Sequence, residues 1–302
     1  VYITIPIAML AIAYGFYCRY KIWSLGQPVA DLGPWGERIS RSIKLACLDI
    51  FGHRRFIKRE LYPGTMHFLL FWGMLFLLVA TTLGAIEFNW HKYIGPYTGF
   101  EFPTAYARAY TGFIWDVFGG GFLLIGLCMA LYRRYVIKPN RLNTFIDDGV
   151  ILGLLLGLTL TGFLLEGLRI ASTELNPDSE FYSPSEARWS IIGYLFALPL
   201  RAFEFNSETM QVAHFSIYWV HVGVYAAGFI YIAGSFSKLA HIFLSPINAF
   251  LRTSRPLGAL RPMGELEELE RFGATDVTDF TWKQLLEYDS CTNCGRCQDQ
   301  CP

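Results

Sequence analysis

Long apolar stretches alternate with shorter polar segments over the first 250 residues of the chain. Five of these stretches are about 20 residues long, the helical length that crosses about 30 Å of hydrocarbon. They cover approximately residues 1–17, 64–86, 112–132, 149–168 and 212–232. A sixth stretch at 191–200 is shorter and contains Pro199, which favours an interfacial segment. The pattern predicts an all-α membrane protein whose residues 1–250 form a five-transmembrane-helix bundle.

The basic residues of the intervening segments predict the orientation in the bilayer. Segments 19–63 and 133–148 contain nine and four Lys or Arg residues, whereas segments 87–110 and 171–211 contain two each. Lys and Arg are enriched in cytoplasmic loops. We therefore expect a multi-pass protein of the bacterial or archaeal cytoplasmic (inner) membrane, with its N-terminus outside and its C-terminal tail in the cytoplasm.

The composition agrees with a lipid environment for most of the chain. Of the 302 residues, 53% are hydrophobic and 17% are charged, against about 25% charged residues in soluble domains. The 25 basic and 25 acidic residues balance, so net charge gives no indication of nucleic-acid binding. The chain lacks an initiator Met and stops one residue after Cys301. We therefore expect a fragment of a longer polypeptide.

Four cysteines near the C-terminus give the strongest chemical signal. Their spacing, C-x2-C-x2-C-x3-C-P, is the bacterial ferredoxin pattern for a 4Fe–4S cluster. The predicted ligands are Cys291, Cys294, Cys297 and Cys301. Soft thiolate sulfurs match iron–sulfur clusters, and a zinc knuckle is the alternative for the same residues. In two-cluster ferredoxins the fourth cysteine binds the second cluster, so one or two clusters are predicted. Just upstream, Thr281 and Gln284 fit a capping box, which predicts that a short helix begins there.

Five of the six histidines lie on or beside the second and fifth apolar stretches. They are His53, His67, His214, His221 and His241. Ionisable residues inside membrane helices are costly and are functional candidates by default, and imidazoles on facing helices suit axial ligation of b-type haem. A hydrogen-bonded polar group within the bundle is the alternative for any single histidine. His214 shares a helix face with His221 and could replace it as a ligand.

Further ionisable residues lie near the outer ends of the third and fourth stretches. Glu166 and Arg169 are three residues apart on one helix face, so they either form a structural ion pair or line a proton-coupled quinone site. Asp116 either shares that role or caps and pairs locally. The glycines at 119–121 permit close packing of helices or of a haem edge.

Several motifs resemble known membrane oxidoreductases. The segment that closes the last helix, Phe236-Ser-Lys-Leu-Ala-His241-Ile-Phe, and the five-helix layout with an outer N-terminus resemble the nitrate reductase gamma subunit family. The segments GTMHFLLFWG, TGFLLEGLR and DFTWKQ with CTNCGRC are similar to the fused membrane iron–sulfur oxidoreductases related to heterodisulfide reductase. Within these, they most resemble the electron-transfer-flavoprotein:quinone oxidoreductase type, and the resemblance covers nearly the whole chain.

The resemblance bears on the haem ligands. The nitrate reductase gamma pattern implies that His67 pairs with His241 near the inner membrane edge. Another register of the antiparallel helices pairs His67 with His221 and His53 with His241. The second histidine of that family, ten residues into the second helix, corresponds to Leu77 here. One or two haems b are therefore expected, with His67 and His241 as the first candidates, His221 next and His53 last.

These features together predict a transmembrane cytochrome b domain in residues 1–250. Residues 251–302 then form a cytoplasmic linker and the start of a ferredoxin-like domain. Electrons would enter through the iron–sulfur cluster, cross to haem b and reduce menaquinone or ubiquinone, with Glu166, Arg169 and His214 near the quinone. The resemblance implies electron-transfer flavoprotein, or another cytoplasmic redox protein, as donor. The alternatives are reverse flow from quinol to a disulfide acceptor and a cytochrome b anchor without its own quinone site. A transporter or scaffold leaves the cysteine run unexplained.

Overall fold

The computed structural model describes residues 4–29, 32–99, 112–203, 206–235, 238–253, 273–299 and 301. Within these ranges the secondary structure is helical, apart from one isolated parallel β-bridge between Gln27 and Thr281. The predicted all-α class is thereby confirmed for the described part of the chain.

The helices are numbered in chain order. Helices α1 to α7 are Thr4–Trp23, Trp35–Leu45, Arg54–Arg59, Leu61–Asn89, Gly95–Thr98, Phe122–Leu131 and Ile146–Ser172. Helices α8 to α13 are Pro184–Ala187, Ile191–Ala202, Ser207–Ser235, His241–Phe250, Trp282–Asp289 and Arg296–Asp299. The segments Ala46–Phe51, Trp90–Ile94, Ile114–Gly121 and Tyr132–Ile137 are π-helical, and Lys238–Ala240 and Val277–Asp279 are 3₁₀ turns.

Three of the predicted transmembrane helices are long and apolar enough to cross a bilayer, judged by length and composition. Among the described residues, the helices that meet both criteria are Leu61–Thr98, Ile114–Ile137 and Ile146–Ser172. The first and fifth predicted spans are also helical, as α1 and α10, but they are not among these three. The five-helix bundle therefore stays a prediction. The sixth apolar stretch forms α9, which continues through Pro199.

The chain divides into two compact units. Residues 56–139 and 144–228 form the first, here called the helix unit. Residues 1–55, 140–143 and 229–302 form the second, here called the cysteine unit. The helix unit contains the three apolar spans, and the cysteine unit contains the predicted cluster ligands.

Close approaches at glycine hold the helix unit together. A Cβ at Gly73 of α4 would lie 2.6 Å from the Leu123 backbone nitrogen, so only glycine lets these two helices approach so closely. Leu123 itself is fully buried. Likewise, a Cβ at Gly167 of α7 would lie 2.7 Å from Cβ of Phe196 on α9. Small residues that allow backbones to approach are typical of helix packing in membranes.

Aromatic contacts and a capped helix organise the cysteine unit. Phe16 of α1 meets Phe243 of α11 edge to face, with ring centroids 5.8 Å apart. Helix α12 begins after Thr281, whose hydroxyl accepts a hydrogen bond from the Gln284 backbone N–H at 3.3 Å. The Gln284 side chain accepts from the Thr281 N–H at 2.8 Å. The predicted capping box is therefore confirmed, and it aims α12 toward the cysteine run.

Candidate iron–sulfur and haem sites

The four cysteines lie in an exposed loop that follows α12. Cys291 comes two residues after the helix end, and Cys297 lies in the short helix α13; all four are exposed. Asn293 and Gly295 adopt left-handed conformations, with φ of 52° and 71°, which turn the chain on either side of Cys294. The Asn293 backbone N–H donates to the Cys291 sulfur at 3.4 Å. Hydrogen bonds to ligand sulfurs are among the factors that tune iron–sulfur clusters.

The donor set fits an iron–sulfur cluster by its chemistry. Four thiols at the ferredoxin spacing are soft ligands on a surface loop that a cluster can reach. In the described ranges, no group of three or more His, Cys, Asp and Glu side chains is close enough to hold a metal ion. The structure therefore places the sulfurs on one loop without bringing them onto one centre, and their role as ligands stays a prediction.

The start of the cysteine run is fixed to the end of α1. Asp289, two residues before Cys291, accepts a hydrogen bond from the Trp23 indole nitrogen at 2.7 Å and lies 3.4 Å from Arg19 Nη1. The bridge between Gln27 and Thr281 holds the segment just before α12 to the same part of the chain, with the Gln27 N–H donating to the Phe280 carbonyl at 2.8 Å. Hydrogen bonds thus connect segments that lie about 260 residues apart in sequence.

The end of the cysteine run is fixed by the 140–143 segment. A Cβ at Gly295 would overlap the Arg141 backbone carbonyl, so this approach requires glycine as well as its positive φ. The Arg141 guanidinium lies 3.6 Å from the Asp299 carboxylate. The cysteine loop is therefore held on both sides by segments for which the basic residues predict the same side of the membrane.

Two of the predicted haem ligands, His53 and His241, belong to the cysteine unit. His53 is 2% exposed, and its Nδ1 lies 3.4 Å from the Phe51 carbonyl. Burial lowers the pKa of His53, against the opposing effect of that carbonyl, and so favours the neutral ring that metal ligation requires. His241 is the first residue of α11, and its Nδ1 contacts the Lys238 carbonyl.

The other two candidates, His67 and His221, belong to the helix unit. His221 Nδ1 lies 2.8 Å from the Thr161 hydroxyl. That hydroxyl is also 2.7 Å from the Gly157 carbonyl, to which it can only donate, so we assign the Thr161 oxygen as acceptor of the His221 Nδ1–H. The His67 ring stacks on Phe56, with centroids 5.3 Å apart and planes at 9°.

The surroundings of His53, His221 and His241 fit axial ligation. Metal-binding histidines usually donate one ring N–H to a carbonyl or another oxygen, which leaves the lone pair of the other nitrogen for the metal. In all three, Nδ1 faces an oxygen, so the lone pair lies on Nε2. The haem fits by this donor chemistry, and the pairing of the histidines stays a prediction. His214 is half-buried on α10, seven residues before His221, and its role is likewise a prediction.

The nitrate reductase gamma pattern has a second histidine on the helix that corresponds to α4. In this chain that position is Leu77, which is part of the packed core. Leu77 packs against the core around Leu123 and Leu127, and its Cδ2 would lie 3.0 Å from a Cβ at Gly119. Next to it, a Cβ at Gly120 would lie 2.5 Å from the Phe163 ring. The glycines at 119–121 therefore serve close helix packing in this structure.

Two carboxyl groups, the buried Asp116 and the half-buried Glu166, lie at the start of α9. Asp116 is 3% exposed, and its two oxygens accept the backbone N–H groups of Ile192 at 2.6 Å and Gly193 at 3.1 Å. The Glu166 carboxyl group lies beside the same turn of α9, since a Cβ at Gly193 would be 2.7 Å from its Cδ. Asp116 and Glu166 therefore both lie against the start of α9.

The predicted pair of Glu166 and Arg169 is present but marginal, at 4.0 Å. Arg169 makes a closer ion pair with Glu174, which was not predicted from the sequence. Burial raises the pKa of Glu174, but the Arg169 guanidinium and the Thr173 hydroxyl lower it further, so that it lies below its ordinary value. Arg169 and Glu174 are five residues apart, which is outside the i,i+3 and i,i+4 patterns of a helix. The sequence indicates this contact only through the position of an acidic residue just past the helix end.

Comparison with known proteins places the chain in a class. It is 34% identical to EtfAB:quinone oxidoreductase of Syntrophomonas wolfei over 100% of this chain and 40% of that protein. It is 28% identical to the probable iron–sulfur-binding oxidoreductase FadF of Bacillus subtilis over 88% of this chain and 35% of that protein. The chain thus spans two-fifths or less of these relatives. No family model matches it, and no solved structure is significantly similar.

A third relative is a subunit of the dihydromethanophenazine:CoB–CoM heterodisulfide reductase of Methanosarcina barkeri. It is 27% identical to this chain over 64% of the chain and 80% of its own length. The chain is thus similar to iron–sulfur and quinone oxidoreductases and to a heterodisulfide reductase subunit. The predicted resemblance to these oxidoreductases is therefore confirmed.

Proposed function

We propose that the chain is the membrane part of an enzyme that passes electrons between a cytoplasmic donor and the quinone pool. It crosses the cytoplasmic membrane five times, with its N-terminus outside and its cysteine run in the cytoplasm. The cluster ligands are Cys291, Cys294, Cys297 and Cys301. The axial ligands of one or two haems b come from His67, His241, His221 and His53.

The observation that carries this proposal is the anchoring of the cysteine loop on both sides, in the unit that also contains His53 and His241. When bound, an iron–sulfur cluster and a b-type haem each exchange single electrons. The contribution of this chain is to hold their ligands in place. Asp289 and Arg141 fix the loop, and backbone carbonyls orient the two histidine rings.

Quinone reduction also requires protons, and we propose that Asp116 and Glu166, which both lie against the start of α9, supply one. Glu166 is the proton donor of that pair, and the two backbone N–H groups at the start of α9 stabilise the negative charge on Asp116. Arg169 lies next to Glu166 at the outer end of α7. We place the quinone near these residues, with His214 as a further candidate contact.

The electron donor that we propose is an electron-transfer flavoprotein. The relative that matches the whole chain is named EtfAB:quinone oxidoreductase, which supports this choice. A second candidate function is the reverse flow, from a quinol to a disulfide acceptor. The similarity to the heterodisulfide reductase of Methanosarcina barkeri over 64% of the chain favours it.

Spectroscopy of the purified protein tests the proposal. We expect a Soret band and a haem α band that sharpens on reduction with dithionite, together with about four irons per cluster. Reduced electron-transfer flavoprotein should then reduce the haem, and added menaquinone analogue should reoxidise it. If quinol reduces the haem and a disulfide reoxidises it, while reduced flavoprotein does not reduce it, the reverse function is established. Absence of both iron and a Soret band would refute the proposal.

A further inference from the structure

The helix that begins at His241 also contacts the segment just before the cysteines. On α11, His241, Leu244 and Asn248 follow the spacing i, i+3, i+7 and so share one face. Leu244 is fully buried on this face. Asn248 hydrogen-bonds to α12 and to the residue that precedes Cys291. A single ten-residue helix therefore carries a predicted haem ligand at its start and a contact to the cysteine loop two turns later.

Asn248 joins α11 to the cysteine loop through both ends of its amide. Its Nδ2 donates to the Ser290 hydroxyl at 3.1 Å, and its Oδ1 accepts from the Lys283 ammonium group. The Ser290 hydroxyl in turn donates to the Glu287 carbonyl at 2.8 Å. Only one orientation of the amide lets its N–H group donate to Ser290 while its oxygen accepts from Lys283. Ser290 is the direct chain neighbour of Cys291.

Burial makes this contact costly to break. Lys283 is 3% exposed, and its ammonium group is 2.5 Å from the Glu287 carboxylate. A buried charge needs hydrogen-bonding partners, and the loss of one leaves the other polar groups poorly solvated. Asn248 supplies the neutral acceptor of this group. The bond to Ser290 is thus part of a connected polar network between α11 and α12.

From this network we infer that Asn248 is a positioning residue that sets the distance between the iron–sulfur cluster and the haem ligand His241. This inference rests on the proposed electron-transfer function. Seven residues of α-helix separate His241 from Asn248, a rise of about 10.5 Å. The helix, which continues through Pro246, sets that separation, and the Asn248–Ser290 bond joins its far end to the residue before Cys291. The rate of electron transfer falls steeply with distance. Loss of the Asn248–Ser290 hydrogen bond therefore slows the step from cluster to haem.

Four variants separate this role from a merely structural one. Asn248→Ala removes both contacts, and Asn248→Asp keeps an acceptor for Lys283 but loses the N–H that Ser290 accepts. Ser290→Ala removes the hydroxyl alone. Ser245→Ala, on the exposed part of the same helix, is the matched control. Each variant is prepared in the full-length protein with its cofactors, and iron and haem contents are measured first.

The rate of haem reduction after rapid reduction of the cluster is the main measurement. Because electron transfer slows as the separation of the carriers grows, we expect a severalfold loss of rate in Asn248→Ala, Asn248→Asp and Ser290→Ala at unchanged cofactor content. Power saturation of the cluster EPR signal should change in the same three variants, because it reports the proximity of the haem iron. The double variant Asn248→Ala/Ser290→Ala should be no slower than the slower single variant, since both single changes remove the same Asn248–Ser290 bond.

Hydrogen exchange of the backbone at residues 288–296 gives a readout that needs no electron transfer. It should rise in the same three variants and not in Ser245→Ala. If the parent protein contains no haem or cluster, the proposed function fails, and the exchange data alone decide whether Asn248 holds the loop. If the cofactors are present and Ser290→Ala transfers electrons at the parental rate, the positioning role is wrong. Full recovery of rate in Asn248→Asp would also overturn it, because that result assigns the effect to Lys283.

Discussion

The helix unit and the cysteine unit are stabilised by different kinds of contact. In the helix unit, backbones and large side chains fit against glycines, as where the Phe163 ring lies on Gly120. In the cysteine unit, segments far apart in sequence are joined by side-chain hydrogen bonds and ion pairs, as between Asp289 and Trp23 or between Arg141 and Asp299. Both kinds of contact occur in each unit, since Gly295 also packs closely and Asp116 also binds backbone N–H groups, but the distant joins of the cysteine unit are mostly polar.

The difference follows from what each unit has to do. Apolar helices in lipid gain little from the hydrophobic effect against one another, so they depend on close packing. A cofactor loop needs a fixed orientation, which hydrogen bonds supply because they depend on distance and angle. We therefore expect changes of volume to damage the helix unit and removal of single polar partners to damage the cysteine unit.

The largest effect is expected within the cysteine run itself. Cys294→Ser should abolish the 4Fe–4S cluster, because a hydroxyl is a much poorer ligand than a thiolate for iron in such clusters. Iron analysis and EPR of the reduced protein measure the loss. Cys128→Ser, at an exposed cysteine of α6, is the control and should keep full cluster content. A normal cluster signal in Cys294→Ser would show that this residue is not a ligand.

The next largest effect tests one histidine of each unit. His67→Ala and His241→Ala should each remove or strongly reduce the haem α band in the reduced-minus-oxidised spectrum, since a b-type haem is held by its axial histidines. His91→Ala, at an exposed position, is the control. An α band of full height in both variants would contradict the assignment of these residues as the first candidates.

The two carboxyl groups of Asp116 and Glu166 give a polar test inside the helix unit. Glu166→Gln keeps a hydrogen-bond donor toward Asp116 but cannot release a proton, so the packing should survive while quinone reduction slows by about 100-fold. Haem content should be unchanged, and Glu186→Gln at an exposed site of α8 serves as the control. If Glu166→Gln, Arg169→Gln and His214→Gln all turn over normally, quinone does not bind near these residues.

Two glycine substitutions test the role of shape directly. In Gly120→Ala the new methyl group would lie 2.5 Å from the Phe163 ring, and overpacking of this kind costs about 1–3 kcal/mol. In Gly153→Ala, on α7 of the same unit, nothing among the described neighbours lies within 4 Å of the added methyl. That variant should be stabilised by about 0.5–1 kcal/mol through helix propensity. Thermal unfolding in detergent should therefore shift in opposite directions; equal shifts would refute the packing argument.

Apolar length and local spacing sufficed to predict much of the fold. The three spans that meet the length and hydropathy criteria coincide with the second, third and fourth predicted helices, because about 20 apolar residues have few alternatives to a helix in lipid. The capping box of Thr281 and Gln284 was equally predictable, since both of its contacts are local in sequence. The four-cysteine motif was clear for the same reason, although its role as a cluster site stays a prediction.

Contacts between distant segments could not be predicted from the sequence. Asn248 is a lone amide in an otherwise mostly apolar helix, and that oddity signals a partner without naming Ser290 or Lys283. The choice between local capping and a functional role for Asp116 was open, and the structure shows it capping α9, 76 residues away. Such pairs depend on how helices pack, and spacing along one helix carries no information about them.

The smallest expected effect concerns the pH dependence of the Glu174–Arg169 ion pair. Its folded pKa is lowered from the ordinary value of 4.5, so the pair stabilises the protein above that pH and the stabilisation is lost as pH falls through the lowered value. Because Arg169 is partly exposed, the contribution is about 0.2–1 kcal/mol. Glu174→Gln should lower the unfolding temperature slightly at pH 7 and leave it less sensitive to acid than the parent. Glu180→Gln, at an exposed site nearby, should keep the parental acid sensitivity. The same slope of unfolding temperature against pH in all three proteins would show that this ion pair adds no stability.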